Sequence, residues 1–162
     1  MEEKNSFMIF SAPIQGLTDP VWRHFHHQVY GGGSVAAYHT PFMRVERGEV
    51  RRRDVRDLKS EFNQGLTLVP QIIFRDIKEF RMLCDEIRIA GYSVADMNMG
   101  CPFPPQVKHG RGSGLMATAK ELESICRLMN DMEDTRFSIK MRLGITRPDE
   151  WKQIIHILNE MP

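Results

Sequence analysis

Short apolar runs and helical apolar patterns alternate along the chain. The short runs are bounded by turn residues and predict strands at 7–12, 34–39, 66–74, 93–98 and 137–142. In the segments between them, apolar residues recur every three or four positions, which predicts helices. This alternation favours a parallel sheet with helices packed outside it. We therefore predict an α/β fold, and the spacing fits an open sheet or part of a barrel.

Residues typical of helix ends mark the helical segments. Residues 18–20, Thr-Asp-Pro, predict the start of the first helix, and the glycines at 31–33 predict its end. Residues 76–79 have the spacing of a capping box, and Thr118 is the predicted cap of a later helix. The helices should therefore begin at defined positions.

Charged residues of both signs dominate residues 43–66. Arginines and acids interleave there, which is typical of a solvated, salt-bridged helix or a long surface loop. A patch that faces phosphates is the alternative, because guanidinium groups suit phosphate oxygens. In the apolar run that follows, Pro70 predicts an irregular or edge-like strand, since proline cannot donate a ladder hydrogen bond.

Composition narrows the class of protein. The net charge of the 162 residues is +1, so any RNA contact must come from local patches. Three widely spaced cysteines without a C-x-x-C pair argue against a disulfide framework and against a metal site. No run reaches the roughly 18 apolar residues that span a bilayer, and acids at positions 2 and 3 argue against a secretory signal. We expect a soluble, cytoplasmic protein.

Residues able to carry chemistry gather where the predicted strands end. In a parallel α/β fold, ligands bind at the carboxyl ends of the strands. The residues at or near these ends are Pro13, Ile14, Gln15, Gln71, Asn98, Cys101, Lys140 and Arg142. The sequence therefore predicts a ligand site at this edge of the sheet.

Cys101 lies between glycine and proline just after the fourth predicted strand. It is either a passive apolar residue or a general acid whose thiol keeps its proton. The glycine-rich, basic segment 108–114 follows it. This segment is either a mobile surface loop or a hinge that lets the Cys101 loop close over a substrate, with Lys108 and Arg111 near phosphates.

Two cations share one face of the fifth predicted strand. Lys140 and Arg142 are two positions apart, so they point to the same side. The apolar residues on the opposite face are Ile139, Met141 and Leu143. The cationic face meets either a ligand or solvent, and alternation alone does not choose between them.

Four motifs resemble those of the dihydrouridine synthase family. Residues 12–19, A-P-I-Q-G-L-T-D, resemble its A-P-M-x-G-x-T-D opening, and residues 98–102, N-M-G-C-P, match its N-x-G-C-P motif. Residues 108–115, K-H-G-R-G-S-G-L, resemble its K-x-G-x-G-x-x-L segment, and residues 140–144, K-M-R-L-G, are similar to its K-x-R-x-G strand end. The motifs follow the family's order and spacing and cover most of the chain.

The resemblance implies a (β/α)8 TIM barrel that holds FMN at its C-terminal mouth and is followed by a helical RNA-binding domain. Residues 1–162 would be the N-terminal part of this barrel, with about its first five βα units. We expect the C-terminal half of the barrel and the helical domain to be absent, and these residues alone to be inactive. Exposed barrel edges would favour self-association.

The resemblance also implies an oxidoreductase that acts in tRNA processing. In the family's mechanism NADPH reduces FMN, the flavin passes a hydride to C6 of uridine in tRNA, and a cysteine protonates C5, which gives 5,6-dihydrouridine. Cys101 holds the position of that cysteine. The base must leave its stack to react, so binding of tRNA is part of catalysis.

Further roles follow from the same resemblance. The residues implied to contact the flavin are Pro13, Ile14 and Gln15 through their backbone, Gln71 through its side chain, and Lys140 at the polar edge of the ring. A positive charge at that edge stabilises the reduced form. Asn98 and Arg142 are implied to face the uracil.

Two positions depart from the family's pattern. Residues 39–43 read H-T-P-F-M where the family's second strand usually ends in T-E-M, and Gly114 stands where alanine is frequent. Two other functions stay open. One is an FMN-dependent barrel oxidoreductase of a small molecule, and the other is a non-catalytic remnant that binds RNA or a partner through residues 43–66.

Overall fold

The computed structural model describes residues 7–31 and 33–160; residues 1–6, with the two acids noted above, lie outside this part. Its strands are β1 Ile9–Ser11, β2 Val35–His39, β3 Val45–Glu46, β4 Glu49–Val50, β5 Leu68–Val69, β6 Gln71–Ile72, β7 Val94–Met99 and β8 Arg136–Met141. Its α-helices are α1 Pro20–Tyr30, α2 Arg52–Leu58, α3 Ile77–Ile89, α4 Pro104–Lys108, α5 Ala119–Asn130 and α6 Ile155–Leu158. Short 3-10 helices lie at Glu61–Asn63, Gly112–Ala117 and Glu150–Gln153.

Two parallel three-stranded sheets form the centre of the fold. In the first, β2 lies between β1 and β5, and in the second, β7 lies between β6 and β8. Only Pro70 separates β5 from β6, and its carbonyl accepts a hydrogen bond of 2.8 Å from the backbone N–H of Asp96. Because proline lacks an N–H, the predicted strand 66–74 is split into two short strands.

The predicted α/β fold with parallel strands is confirmed. Within residues 7–31 and 33–160 the strands do not close into a barrel. The number of βα units stays a prediction.

Helices α3 and α5 cover one face of the second sheet. The buried apolar cluster takes Phe80, Leu83 and Ile87 from α3, Leu122, Ile125 and Met129 from α5, and Ala95, Met97 and Met99 from β7. Because successive strand residues point to opposite faces, Asp96 and Asn98 of β7 point away from these helices. The opposite face of the sheet therefore carries polar side chains.

Side-chain caps begin α1 and α3 as predicted. The carboxylates of Asp19 and Asp76 each accept a hydrogen bond of 2.8 Å from the backbone N–H three residues further on. Thr118 is the N-cap residue of α5, as predicted, but its side chain makes no capping hydrogen bond, because its hydroxyl donates to the carbonyl of Leu115 in the preceding 3-10 helix. Gly32, one of the glycines predicted to end α1, lies outside the described residues.

Residues 43–66 form a hairpin, helix α2 and a 3-10 turn. The hairpin of β3 and β4 turns at Arg47 and Gly48, whose φ angles of 53° and 84° suit a tight two-residue turn. Arg44 and Glu46 form an ion pair beside this turn. The salt-bridged arrangement predicted for the segment is confirmed, and a phosphate-facing role stays a prediction.

Arg23 of α1 is fully buried although it carries a charge. Its guanidinium group donates to the carbonyl of Thr18 at 2.7 Å, to the carboxylate of Asp57 at 2.6 Å and to the side-chain oxygen of Asn63 at 2.9 Å. Burial raises the pKa of Asp57, and Arg23 opposes that rise. These bonds fix α1 against residues 57–63.

The edge of the fold at β1 and α1 exposes large apolar side chains. Phe7 is 88% exposed, Phe25 is 55% exposed and Val29 is 68% exposed. Such a face costs free energy in water unless it is covered. This exposure agrees with the expectation of open barrel edges, and self-association stays a prediction.

Candidate functional site

A cavity of about 500 Å³ lies against the polar face of the two sheets. Its wall includes Pro13, His39, Asp96, Ser138 and Lys140. The structure thus brings two of the predicted site residues, Pro13 and Lys140, to one cavity. A larger cavity of about 950 Å³ lies between α2 and α3. Its wall includes Arg52 and Arg56 of the charged segment 43–66 and none of the residues predicted to contact flavin or uracil.

A continuous row of side-chain hydrogen bonds runs beside this cavity. The Ser138 hydroxyl donates to Asp96 Oδ1 at 2.7 Å, and Gln71 Nε2 donates to Asp96 Oδ2 at 2.6 Å. Asn98 Nδ2 then donates to Gln71 Oε1 at 2.8 Å. Asn98 Oδ1 accepts the backbone N–H of Cys101 at 2.9 Å. We call this row, from Ser138 to the backbone of Cys101, the polar chain.

The polar chain joins residues that are far apart in the sequence. Gln71 and Asn98 were predicted to lie at the site, whereas Asp96 and Ser138 were missed. One signal could have found Asp96: it is the acidic residue inside the apolar run 93–98 and shares a strand face with Asn98. Ser138 gave no signal, because its contact with Asp96 depends on the pairing of β7 with β8.

Gln71 and Asn98 already have partners for both ends of their side-chain amides. Gln71 is also 1% exposed, and its backbone N–H donates to the Thr40 hydroxyl at 3.0 Å. Thr40 belongs to the segment that departs from the family's T-E-M pattern. The flavin contact of Gln71 and the uracil contact of Asn98 stay predictions.

The glycine-rich segment is hydrogen-bonded to the Cys101 loop through Ser113. Both the backbone N–H and the hydroxyl of Ser113 donate to the carbonyl of Cys101, at 3.1 Å each. Residues 112–114 of the segment are buried, so the alternative of a surface loop is wrong for them, while Lys108 and His109 are exposed. Gly112 lies against Cys101, Gly114 lies against Val107, and Leu115 and Met116 belong to the apolar core. The proposed hinge stays a prediction.

Arg111 is fixed by a buried carboxylate. Its guanidinium group donates to both oxygens of Glu79, at 2.6 and 3.0 Å, and to the carbonyl of Val45 at 2.9 Å. Such a two-point pairing occupies most of the donors that a phosphate would use. Lys108, by contrast, is exposed. The phosphate contacts predicted for these two residues stay predictions.

Lys140 near the end of β8 and Arg142 just past it are both exposed. On the opposite face, Ile139 and Met141 pack against the apolar core. The expectation for Leu143 is wrong, because β8 ends at Met141 and Leu143 is 62% exposed. Lys140 is paired with Asn98 in the register of β8 and β7, which places it beside the polar chain.

The turn after β1 is closed by Thr18. The backbone N–H of Ile14 donates to the Thr18 hydroxyl at 2.9 Å, and the Ile14 carbonyl accepts the backbone N–H groups of Leu17 and Thr18 at 3.0 and 3.1 Å. Ile14 and Gln15 expose their side chains. Contacts of Pro13, Ile14 and Gln15 with a flavin stay predictions.

The cysteines differ in their surroundings. Cys101 is half-buried at the site, while Cys84 and Cys126 are buried in the core. Burial raises the pKa of Cys84 to about 12 and also raises the pKa of Cys126. A group of three His, Cys, Asp or Glu side chains that could hold a metal ion is not found in the described part of the chain. Among the same residues, no helix has the length and apolar character needed to cross a membrane.

The fold and the site define a class of protein. A parallel α/β sheet with a cavity on its polar face, lined by Asp96, Ser138 and Lys140, is typical of an α/β enzyme. The chain belongs to the dihydrouridine synthase family: the sequence model described as "Dihydrouridine synthase (Dus)" matches residues 10–161.

Several relatives support this membership. The "Probable tRNA-dihydrouridine synthase 2" of Bacillus subtilis is 31% identical over 161 residues, which cover 92% of this chain and 46% of the relative. The "Probable tRNA-dihydrouridine synthase" of Helicobacter pylori strain J99 is 26% identical, over 100% of this chain and 48% of the relative. The protein of the same name in Staphylococcus aureus strain COL is 28% identical over 87% and 42%. The chain spans about half the length of these curated relatives.

Proposed function

We propose that the protein reduces uridine to 5,6-dihydrouridine in tRNA, with FMN as its cofactor and NADPH as the reductant. The observation that carries this proposal is the polar chain that ends on the backbone of Cys101, next to the cavity lined by Lys140. Family membership and the names of the relatives support the same reaction. Since the substrate is tRNA, we place the protein in the cytoplasm.

The cavity residues fit a flavin ring. Phe10, Ala12 and Val69 supply apolar wall, and Lys140 supplies one cation. Flat aromatic rings suit an apolar cleft with few polar groups, and a cation at the polar edge favours the reduced form. We propose that Lys140 and the backbone at residues 13–15 hold the ring. Once reduced by NADPH, the bound flavin would supply the hydride that C6 of the uracil receives.

Cys101 is the proposed proton donor to C5 of the uracil. Its backbone is held from one side by Asn98 and from the other by Ser113, which leaves the half-buried side chain at a defined place. A thiol that keeps its proton near neutral pH can serve as a general acid. The fixed backbone favours one direction of approach for the base.

Asn98 and Arg142 are the proposed contacts of the substrate. One Asn98 amide hydrogen is used by Gln71, which leaves the second to meet a carbonyl oxygen. Arg142 is exposed just past the end of β8, where a guanidinium group can meet RNA phosphate or the uracil. Both reach only a base that has left its stack.

The 162 residues by themselves are proposed to self-associate. The exposed apolar side chains of β1 and α1 support this, because a second copy would remove them from water. The test is the molecular mass by light scattering over a range of concentrations. A monomer at all concentrations would contradict the proposal.

The function is tested by deleting the gene in the organism that carries it. The amount of dihydrouridine in purified tRNA is then measured by mass spectrometry of nucleosides, with position-by-position mapping. We expect at least one position to lose dihydrouridine and the wild-type gene to restore it. Unchanged dihydrouridine at every position would overturn the proposal.

A further inference from the structure

Asp96 is a buried carboxylate at the centre of β7. It is 3% exposed, and each of its two oxygens accepts a hydrogen bond, from Ser138 and from Gln71. An ionised carboxylate accepts hydrogen bonds and cannot donate them. Gln71 must therefore turn the nitrogen of its amide, and not the oxygen, toward Asp96.

The other end of the polar chain is equally constrained. A backbone N–H can only donate, so Asn98 must turn its amide oxygen toward Cys101, at 2.9 Å. The same oxygen accepts the backbone N–H of Gly100 at 3.2 Å. Asn98 then offers its nitrogen to Gln71, whose oxygen accepts it at 2.8 Å.

The two ends of the polar chain together allow one orientation of both amides. A half-turn of Gln71 would set its oxygen against the carboxylate of Asp96 and its nitrogen against the nitrogen of Asn98. A half-turn of Asn98 would set its nitrogen against the N–H of Cys101. Gln71 and Asp96 are both buried, so water is poorly placed to repair such a mismatch.

We infer that Asp96 is a positioning residue for the Cys101 loop. It acts through Gln71 and Asn98: Asp96 fixes the orientation of the Gln71 amide, Gln71 fixes that of Asn98, and the Asn98 oxygen then accepts the backbone N–H of Cys101. The value of this positioning for catalysis rests on the proposed function of Cys101 as proton donor. The positioning itself is a property of the chain without tRNA or flavin, so the two can fail separately.

The sharpest test reverses the direction of the polar chain. N98D places an acceptor at both ends of Gln71, so one end must be mismatched. Adding D96N supplies a donor to the Gln71 oxygen, after which Gln71 can donate to the new carboxylate and the N–H of Cys101 keeps its acceptor. D96N alone keeps an acceptor for Gln71 and can donate to the Ser138 hydroxyl. D96A removes the acceptor.

The first readout is the rate at which iodoacetamide alkylates Cys101 in the native chain, followed by mass spectrometry of its peptide. Cys84 and Cys126 are buried and serve as internal references for unfolding. The second readout is the pair of side-chain amide ¹H–¹⁵N signals of Gln71 and Asn98. If Asp96 only stabilised the sheet, its variants would change the unfolding midpoint, but D96N would not restore the alkylation rate or the amide signals of N98D.

The expected result for each variant follows from how many hydrogen bonds of the polar chain still pair a donor with an acceptor. D96A and N98D should each speed alkylation of Cys101 by about fivefold, because the loop loses its anchor. D96N should stay within about twofold of the wild type. The double variant D96N/N98D should return the rate toward the wild type and refold more stably than N98D.

Two outcomes would overturn the inference. One is a double variant whose Cys101 is alkylated as fast as in N98D or faster, which would show that D96N gives no rescue. The other is a D96A protein with unchanged alkylation and an unchanged Asn98 amide signal. If D96A or N98D does not fold, folding of D96N/N98D where N98D fails is itself the predicted rescue, and its failure to fold counts against the inference.

Discussion

Gly112 lies directly against Cys101. A Cβ built on Gly112 would be 2.7 Å from the carbonyl oxygen of Cys101 and 2.9 Å from its Cβ. The φ angle of Gly112 is +59°, a left-handed conformation that side chains disfavour. Position 112 therefore requires glycine for two reasons, its positive φ and its close contact with Cys101. This contact packs the backbone of Gly112 against the Cys101 loop.

Gly112→Ala should destabilise the chain and displace Cys101. We expect a loss of about 2–3 kcal/mol in the free energy of unfolding, measured with urea, and altered alkylation of Cys101. Gly110→Ala is the matched control, because Gly110 has a φ of +71° and a built Cβ would have only ordinary contact, 3.9 Å from Arg75. Its cost should be about 1 kcal/mol. Equal losses would show that the contact with Cys101 is unimportant.

Glu79→Gln should remove the counter-charge of Arg111. Both side chains are nearly buried, 5% and 12% exposed, and breaking a buried pair on one side leaves an uncompensated charge. We expect a loss of about 2–4 kcal/mol in the free energy of unfolding. Asp85→Asn, in the exposed pair with Arg88, is the control and should cost under about 1 kcal/mol. A small effect of Glu79→Gln would mean that Arg111 finds another partner.

Much of the fold could be predicted because it depends on local patterns. The alternation of strand and helix patterns predicted the parallel strands. Pro70 predicted an irregular strand at 66–74, and the structure has a break there between β5 and β6. The long-range pairs could not be predicted in the same way. Asp96 meets Gln71 and Ser138, which are 25 and 42 positions away, and this requires the register between strands.

Sequence reasoning could predict contacts of the candidate site between residues of one short motif. Asn98 and Cys101 are three positions apart, and the structure joins them directly. One of the two alternatives for the glycine-rich segment 108–114 placed Arg111 near phosphates, whereas its partner Glu79 lies 32 positions earlier. The sequence shows which residues are charged, but it does not show which of them form ion pairs in the fold.

Cys84 should make the stability of the chain depend on alkaline pH. Burial raises the pKa of its thiol from 9.0 to about 12, so the folded state holds the proton more tightly than the unfolded state. The free energy of unfolding should therefore fall as the pH rises from about 9 to about 12. Cys84→Ala removes this contribution. The difference between the urea midpoints at pH 8 and pH 10.5 should therefore be smaller for the variant than for the wild type. Parallel changes in both proteins would contradict the assignment.

Lys140→Gln should weaken the binding of FMN. If Lys140 stands at the polar edge of the ring, loss of its charge should raise the dissociation constant about tenfold, measured by the change in visible absorption as FMN is added. Lys108→Gln is the control, because Lys108 is exposed and does not line the cavity. Equal affinities for both variants would remove Lys140 from the flavin site.

The most direct measurement of the central claim is restoration of dihydrouridine in cells that lack the gene, with Cys101→Ala compared with Cys126→Ala. Cys126 is a buried thiol away from the site, so its variant controls for the loss of a cysteine. The account predicts that Cys126→Ala restores dihydrouridine in tRNA and that Cys101→Ala restores at least about a hundredfold less, with similar protein levels. Full restoration by Cys101→Ala would contradict the role of Cys101 as proton donor.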